Sequence, residues 1–183
     1  MKDYKISLTG DIGSGKSTVG ELLSKKYGLE KVSIGFILRD IAKDYGMNVK
    51  EFNTYMETHP EIDALLDNKL KEHETKKGNY LFDSRMAWHF VPSSFSVFIK
   101  VSVETAAKRI MNAGRSEETY KTLEEAIASI KARHDSETLR YKTLYGVDLD
   151  DYNNYDLVVD TDGKTPEEIV KIICDAFETW LNK

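Results

Sequence analysis

Cysteine and proline are scarce here: one cysteine and three prolines in 183 residues. A lone Cys174 cannot close an internal disulfide or supply a thiolate zinc site, so nothing points to a secreted, stapled design. No apolar run approaches the ~20 residues that a membrane span needs. The opening Met1-Lys2-Asp3-Tyr4-Lys5 moves straight into an alternating segment and offers no signal-peptide apolar region. Positive charge is also in deficit, with 26 Lys and Arg against 31 Asp and Glu and a net charge of −5. Such a surface repels a polyanion. These absences lead to the expectation of a cytoplasmic globular protein, a monomer or weak homo-oligomer, with neither membrane nor nucleic-acid partners. The length suits one domain, residues 1–183.

What is present alternates between strand-like and helix-like stretches. Tyr4 to Thr9 reads as a first strand. Residues 16–27 read as a helix with Val19, Leu22, Leu23 and Tyr27 on one face. A short strand near Val32 leads into helices at about 35–45, 48–58 and 60–77, with Asn48 and Glu51 at capping-box spacing and Pro60 in a first turn. Tyr80 to Asp83 and Phe95 to Val101 read as strands, followed by helices at about 103–112 and 122–144. A last strand falls within Tyr155 to Thr161. Thr165-Pro166-Glu167-Glu168 then opens a final helix carrying Ile169, Ile172, Ile173, Ala176, Phe177 and Trp180 inward. Strands alternating with helices predict a parallel sheet covered on both faces.

One motif carries chemistry outright. Gly10-Asp11-Ile12-Gly13-Ser14-Gly15-Lys16-Ser17, continued by Thr18, is a complete Gly-x4-Gly-Lys-Ser phosphate loop. Glycines allow successive backbone N–H groups to turn inward as a nest for phosphate oxygens. Lys16 can reach the β- and γ-phosphates, and the Ser17 hydroxyl can ligate Mg2+. The helix that follows points its positive end at the same anion. A strand before and an amphipathic helix after give the motif its required context. A small GTPase is argued against: the only Asn-Lys pair, Asn68-Lys69, lacks the following Asp, and Asp83-Ser84-Arg85-Met86 lacks the glycine of an Asp-x-x-Gly switch.

Arginine is the second signal. Against twenty lysines stand six arginines, at 39, 85, 109, 115, 133 and 140. Guanidinium forks suit bidentate phosphate contacts. Two of the six follow strand ends, where ligands bind in open α/β sheets, and the other four flank the helical hairpin at 109–140. Phosphoryl transfer needs such groups because transition-state charge spreads over the equatorial oxygens.

Over nearly its whole length the sequence resembles the cytidylate kinases of the nucleoside monophosphate kinase superfamily, in particular the short archaeal-type branch. Ser33-Ile34-Gly35-Phe36-Ile37-Leu38-Arg39 is similar to that branch's Ser-Ala-Gly-Asp-Ile-Phe-Arg segment, and Asp83-Ser84-Arg85 to its Asp/Glu-Gly-Arg. Arg133-His134-Asp135-Ser136-Glu137-Thr138-Leu139-Arg140-Tyr141 resembles the segment that closes its lid. The resemblance implies a three-layer P-loop fold with a five-stranded parallel sheet in the order 2-3-1-4-5. It also implies a monophosphate-binding insertion at about 35–77 and a lid at about 112–140. It implies ATP-dependent transfer to CMP or dCMP, with Mg2+ held through Ser17 and Asp83. Asp83 would act through water or by orienting Ser17.

By the same resemblance Ser33, Gly35, Arg39 and Arg85 would hold the acceptor's phosphate. Lys16, Arg115, Arg133 and Arg140 would serve the transferring phosphoryl group. Arg109, Thr161, Asp162, Gly163 and Lys164 would edge the donor's adenine. Trp88 is read either as a base-stacking ring or as packing. Phe36 and Ser84 replace the family's usual Asp and Gly, and both lie beside the acceptor, so phosphate transfer is the firmer expectation than cytosine choice. The alternatives are a P-loop kinase for another small acceptor, or a nucleotide-binding sensor without transfer activity.

Overall fold

The computed structural model describes residues 3–113 and 120–182. Five strands form one parallel sheet: β1 (Lys5–Gly10), β2 (Glu30–Ser33), β3 (Tyr80–Asp83), β4 (Phe95–Lys100) and β5 (Leu157–Asp160), in the order β2-β3-β1-β4-β5. The order expected from the resemblance is the one observed. The register sets Leu8 beside Asp83 on one side and Val97 on the other, so the ends of β1, β3 and β4 open on a common edge. Central strands buried on both faces should read as apolar runs with small polar residues where helices pack closely. Here Ile6 and Leu8 face one layer, while Ser7 and Thr9, also buried, face the other.

Helices α1 (Lys16–Tyr27) and α8 (Pro166–Leu181) cover the first face. Val19, Leu23, Ile169, Ile173 and Phe177 pack there onto Ile6, Leu8, Leu81, Val97 and Ile99. Each such buried side chain contributes roughly 1.5–3 kcal/mol. Phe177 anchors the layer, meeting Tyr4, Tyr27 and Phe95 at 5.9, 5.3 and 5.5 Å. The stripe of α8 is narrower than its sequence implies: Ile172 is 37% exposed, and Cys174, set one residue past Ile173, packs inward instead.

On the other side lie α2 (Ile34–Asp44), α3 (Val49–Met56) and α4 (Pro60–Thr75). They share a small core of Ala42, Phe52, Met56, Ile62 and Leu66. The expected capping boxes of Asn48 with Glu51 and of Thr165 with Glu168 are both formed. Helices α6 (Val103–Asn112) and α7 (Leu123–Tyr145) pair through Ala106, Ala107, Ile110, Ala126 and Ile130. Two short elements have no counterpart in the sequence reading: α5 (Ala87–Phe90) and a 3-10 turn at Tyr152–Asn154. Four and three residues are too few to leave a periodic signal.

Candidate active site

The phosphate loop joins β1 to α1 and takes its shape from glycine. Gly10, Gly13 and Gly15 all have positive φ. A Cβ on Gly10 would lie 2.2 Å from the Ile99 carbonyl oxygen, so β4 could not pass beside the loop with any other residue there. Asp11 fastens the same junction, its carboxylate accepting the Val101 N–H at 2.8 Å. Lys16 folds back over the loop and donates to the carbonyls of Gly10 and Asp11 at 2.9 and 3.0 Å. Burial, reinforced by the nearby Arg85, brings its ammonium down to about 7.

That shift has a measurable consequence. A triphosphate arriving against Lys16 restores the charged form, so ATP binding at pH 8 should take up close to one proton, and less at pH 6. Titration calorimetry in buffers of different ionisation enthalpy reads this directly. Buffer-independent heats at pH 8 would show that the lysine is already charged in the free protein.

At the end of β3, Asp83 stands 3.5 Å from the Ser17 hydroxyl. Two hard oxygen donors at a phosphate loop suit Mg2+, which takes one or two protein oxygens and completes its shell with water and phosphate. The contact favours the reading in which Asp83 orients Ser17. Ser84, in the place of the family's glycine, is buried and caps the next turn by accepting the Met86 N–H at 3.2 Å.

The most organised feature was not expected from the sequence. Glu137, on α7 and 5% exposed, receives Arg85 on one carboxylate oxygen and Arg133 on the other, each at 2.9 Å. Arg85 also donates to the Gly10 carbonyl. Burial alone would raise the Glu137 carboxyl, but the two guanidiniums overcome it and hold it at about 2. A permanent anion therefore sits between two arginines beside Lys16. The signal for it was available: Glu137 stands four residues after Arg133 and three before Arg140, one face of a helix.

The remaining site residues fall into three groups. Arg109 reaches from α6 to the Ser14 carbonyl at 3.3 Å and to Thr161 at 3.1 Å and 3.0 Å, tying the loop to the end of β5. Asp162 accepts the Ser102 N–H at 3.1 Å, so Arg109, Thr161 and Asp162 do meet, and Gly163 and Lys164 complete that turn. Ser33 caps α2 by accepting the Phe36 N–H at 3.3 Å. Arg39, half-buried on α2, lies with its guanidinium 3.8 Å from the position of a Gly35 Cβ, and Phe36 is 60% exposed beside them. Arg140, by contrast, pairs with Asp63 of α4 at 3.4 Å, one turn beyond the Glu137 cluster. Trp88 packs edge-on against Tyr155 and His89 at 5.6 and 5.5 Å. Arg115 lies outside the described residues.

Known proteins resemble this chain in sequence and in fold. Residues 5–163 match the model of the cytidylate kinase-like family. A cytidylate kinase of Thermoplasma volcanium is 36% identical over 183 residues, covering 98% of this chain and 94% of that protein. An S-adenosylmethionine-dependent nucleotide dehydratase of Lacinutrix mariniflava is 37% identical over 95% of this chain, which spans 36% of that longer protein. In three dimensions, shikimate kinase from Bacteroides thetaiotaomicron superimposes with a TM-score of 0.66 at 16% identity, covering 96% of this chain and 98% of that one, a likeness of fold. With the phosphate loop, the sheet order and near-complete coverage in agreement, the chain belongs to the cytidylate kinase-like family.

Proposed function

We propose that this protein transfers the γ-phosphoryl group of ATP to a nucleoside monophosphate, CMP or dCMP, giving ADP and the diphosphate. The observation that carries the reading is the convergence of Arg85 and Arg133 on one anionic point, where Glu137 now sits, beside the phosphate loop and its Lys16. Named cytidylate kinases that match over nearly the whole chain support the choice of acceptor.

The chemistry follows from charge and position. The attacking group is an oxygen of the acceptor's phosphate, already anionic, so no side chain has to remove a proton. A bond forms from that oxygen to the γ-phosphorus while the bond to the β,γ-bridging oxygen breaks, and the electron pair leaves on ADP. Loop N–H groups from Gly10 to Thr18 cradle the donor phosphates, and Lys16 spans the β- and γ-groups. Arg133 neutralises the equatorial oxygens, while Arg85 and Arg39, with Ser33 and Gly35 beside them, hold the acceptor's phosphate in line. Ser17, oriented by Asp83, would hold Mg2+, which would supply charge neutralisation to the donor phosphates. Arg109, Thr161, Asp162, Gly163 and Lys164 edge the adenine. Residues 35–77 and 112–140, the latter including Arg115, close over both substrates and keep water from the γ-phosphoryl group. The protein acts in the cytoplasm, as a monomer or weak homo-oligomer, on small molecules and not on nucleic acid or membranes.

A coupled assay of ADP release over CMP, dCMP, UMP, AMP and shikimate tests this. CMP or dCMP should give the highest kcat/KM. Release no greater than the ATP-only blank with both would refute the cytidylate reading. Tight ATP binding without any working acceptor would establish the sensor alternative.

A further inference from the structure

The end of the central strand β1 is fastened differently on its two sides. Toward β4 the tie starts at Asp11, whose N–H donates to the Ile99 carbonyl at 3.0 Å and whose carboxylate accepts the Val101 N–H. Toward β3 the ladder runs out. Leu8 is the last residue in register, opposite Asp83, and one more backbone bond follows, from the Ser84 N–H to the Leu8 carbonyl at 3.2 Å. Beyond that point a side chain takes over. The Thr9 hydroxyl donates to the Ser84 carbonyl at 3.0 Å.

Both ends of this bond are interior, with Thr9 1% and Ser84 7% exposed. A buried carbonyl requires a donor, and the hydroxyl supplies it. Ser84 is restrained a third time on its own side chain, which accepts the Met86 N–H at 3.2 Å. Its N–H, carbonyl and hydroxyl are therefore all engaged. The two residues flanking this fixed point face the candidate site. Asp83 stands 3.5 Å from the Ser17 hydroxyl, and Arg85 donates to Glu137 and to the Gly10 carbonyl. Loop backbone at a surface is ordinarily satisfied by water and free to shift. Here the turn that carries Arg85 is held from beneath.

We propose that Thr9 is a positioning residue for the acceptor: through the Ser84 carbonyl, its hydroxyl sets the direction from which the Arg85 guanidinium meets the acceptor's phosphate. The inference rests on the kinase reading for its ligand. A guanidinium grips phosphate with a planar fork, so a small displacement of its backbone misaligns both N–H groups together. An error near 1 Å in such placement costs on the order of 100-fold. The donor side is spared, because the phosphate loop is tied to β4 through Asp11 and not to Ser84.

The test compares Thr9→Val, which keeps the shape without the donor, with Thr9→Ser, which keeps the donor. Both are assayed well below their thermal midpoints. In Thr9→Val, kcat/KM for CMP should fall by about 10–50-fold, mostly through KM for CMP, while KM for ATP stays within about twofold. Thr9→Ser should return kcat/KM to within about threefold of the parent. A general loss of folded protein would instead lower kcat and leave both KM values unchanged. A KM for CMP within about threefold of the parent in Thr9→Val overturns the proposal, as does a Thr9→Ser protein equally impaired. Should Thr9→Val not fold, Thr9→Cys, with only a weak S–H donor, should raise KM for CMP severalfold, and an unchanged value there overturns the proposal too. Calorimetric binding of CMP separates this inference from the kinase reading. A parent that binds CMP without turning it over refutes transfer, yet weaker binding by Thr9→Val still supports the positioning role and equal binding overturns it. A parent that neither binds CMP nor turns it over refutes both.

Discussion

Replacing Lys16 with alanine is expected to lower kcat by about 10²–10³-fold, the usual loss when one preorganised charge is taken from a transition state. The thermal midpoint should move by no more than a few degrees, ~2–4 °C for each kcal/mol in a chain of this size. The asymmetry follows from the native contacts of this side chain. Its ammonium rests on two backbone carbonyls and is partly discharged by burial, so no buried carboxylate loses its partner when it goes. Gly10 and Asp11 carbonyls then need only water. In the proposed mechanism, by contrast, the same group spans the β- and γ-phosphates of ATP. Turnover within about threefold of the parent would remove Lys16 from the mechanism, since even uniform binding energy shows in kcat/KM. A fall in the midpoint beyond ~10 °C would make it a structural residue.

Lys16 was legible from its motif, and so was most of the frame. Five strands, seven longer helices and both capping boxes follow from periodicity and cap chemistry, because each is decided within a dozen residues. The sheet order is not local, and only the family resemblance supplied it. The site divides in the same way. Gly10 to Ser17 is one contiguous segment whose spacing is its chemistry. Arg85 and Arg133 could be singled out as scarce forks near strand ends and the lid. Their partner Glu137 was hidden among 31 acidic residues, its importance arising from a fold that carries α7 across the end of β3. Asp63 and Asp67 were less visible still. No local pattern on α4 singles them out, and their partners Arg140 and Tyr145 arrive from a helix more than seventy residues away. Ile172 fails for the opposite reason, an apolar residue at the edge of a helical stripe that stays 37% exposed.

Glu137→Gln should be the most destabilising single change at the site, and inorganic phosphate should undo it. Removing one member of a buried ion pair costs about 3–5 kcal/mol, because the remaining charge is left without a counter-ion. The carboxyl held at about 2, against an ordinary 4.5, leads to a similar figure of about 3 kcal/mol. Because the folded-state value is depressed, that stability is fully present above pH ~5 and is lost as pH falls toward 2; Glu137→Gln should lack this portion of the acid dependence. At pH 7 the midpoint should drop by roughly 6–12 °C. The decisive arm is the anion. In the variant a neutral carboxamide faces Arg85, whereas in the parent a phosphate must first displace a charged carboxylate. An anion bound only by the folded state adds about 2.7 kcal/mol at a hundred times its Kd. Phosphate should therefore raise the variant's midpoint by several degrees more than the parent's, at equal ionic strength set with chloride. Equal shifts in both proteins would mean that Glu137 does not occupy the place of a phosphate, and the convergence that carries the kinase reading would be a structural ion pair.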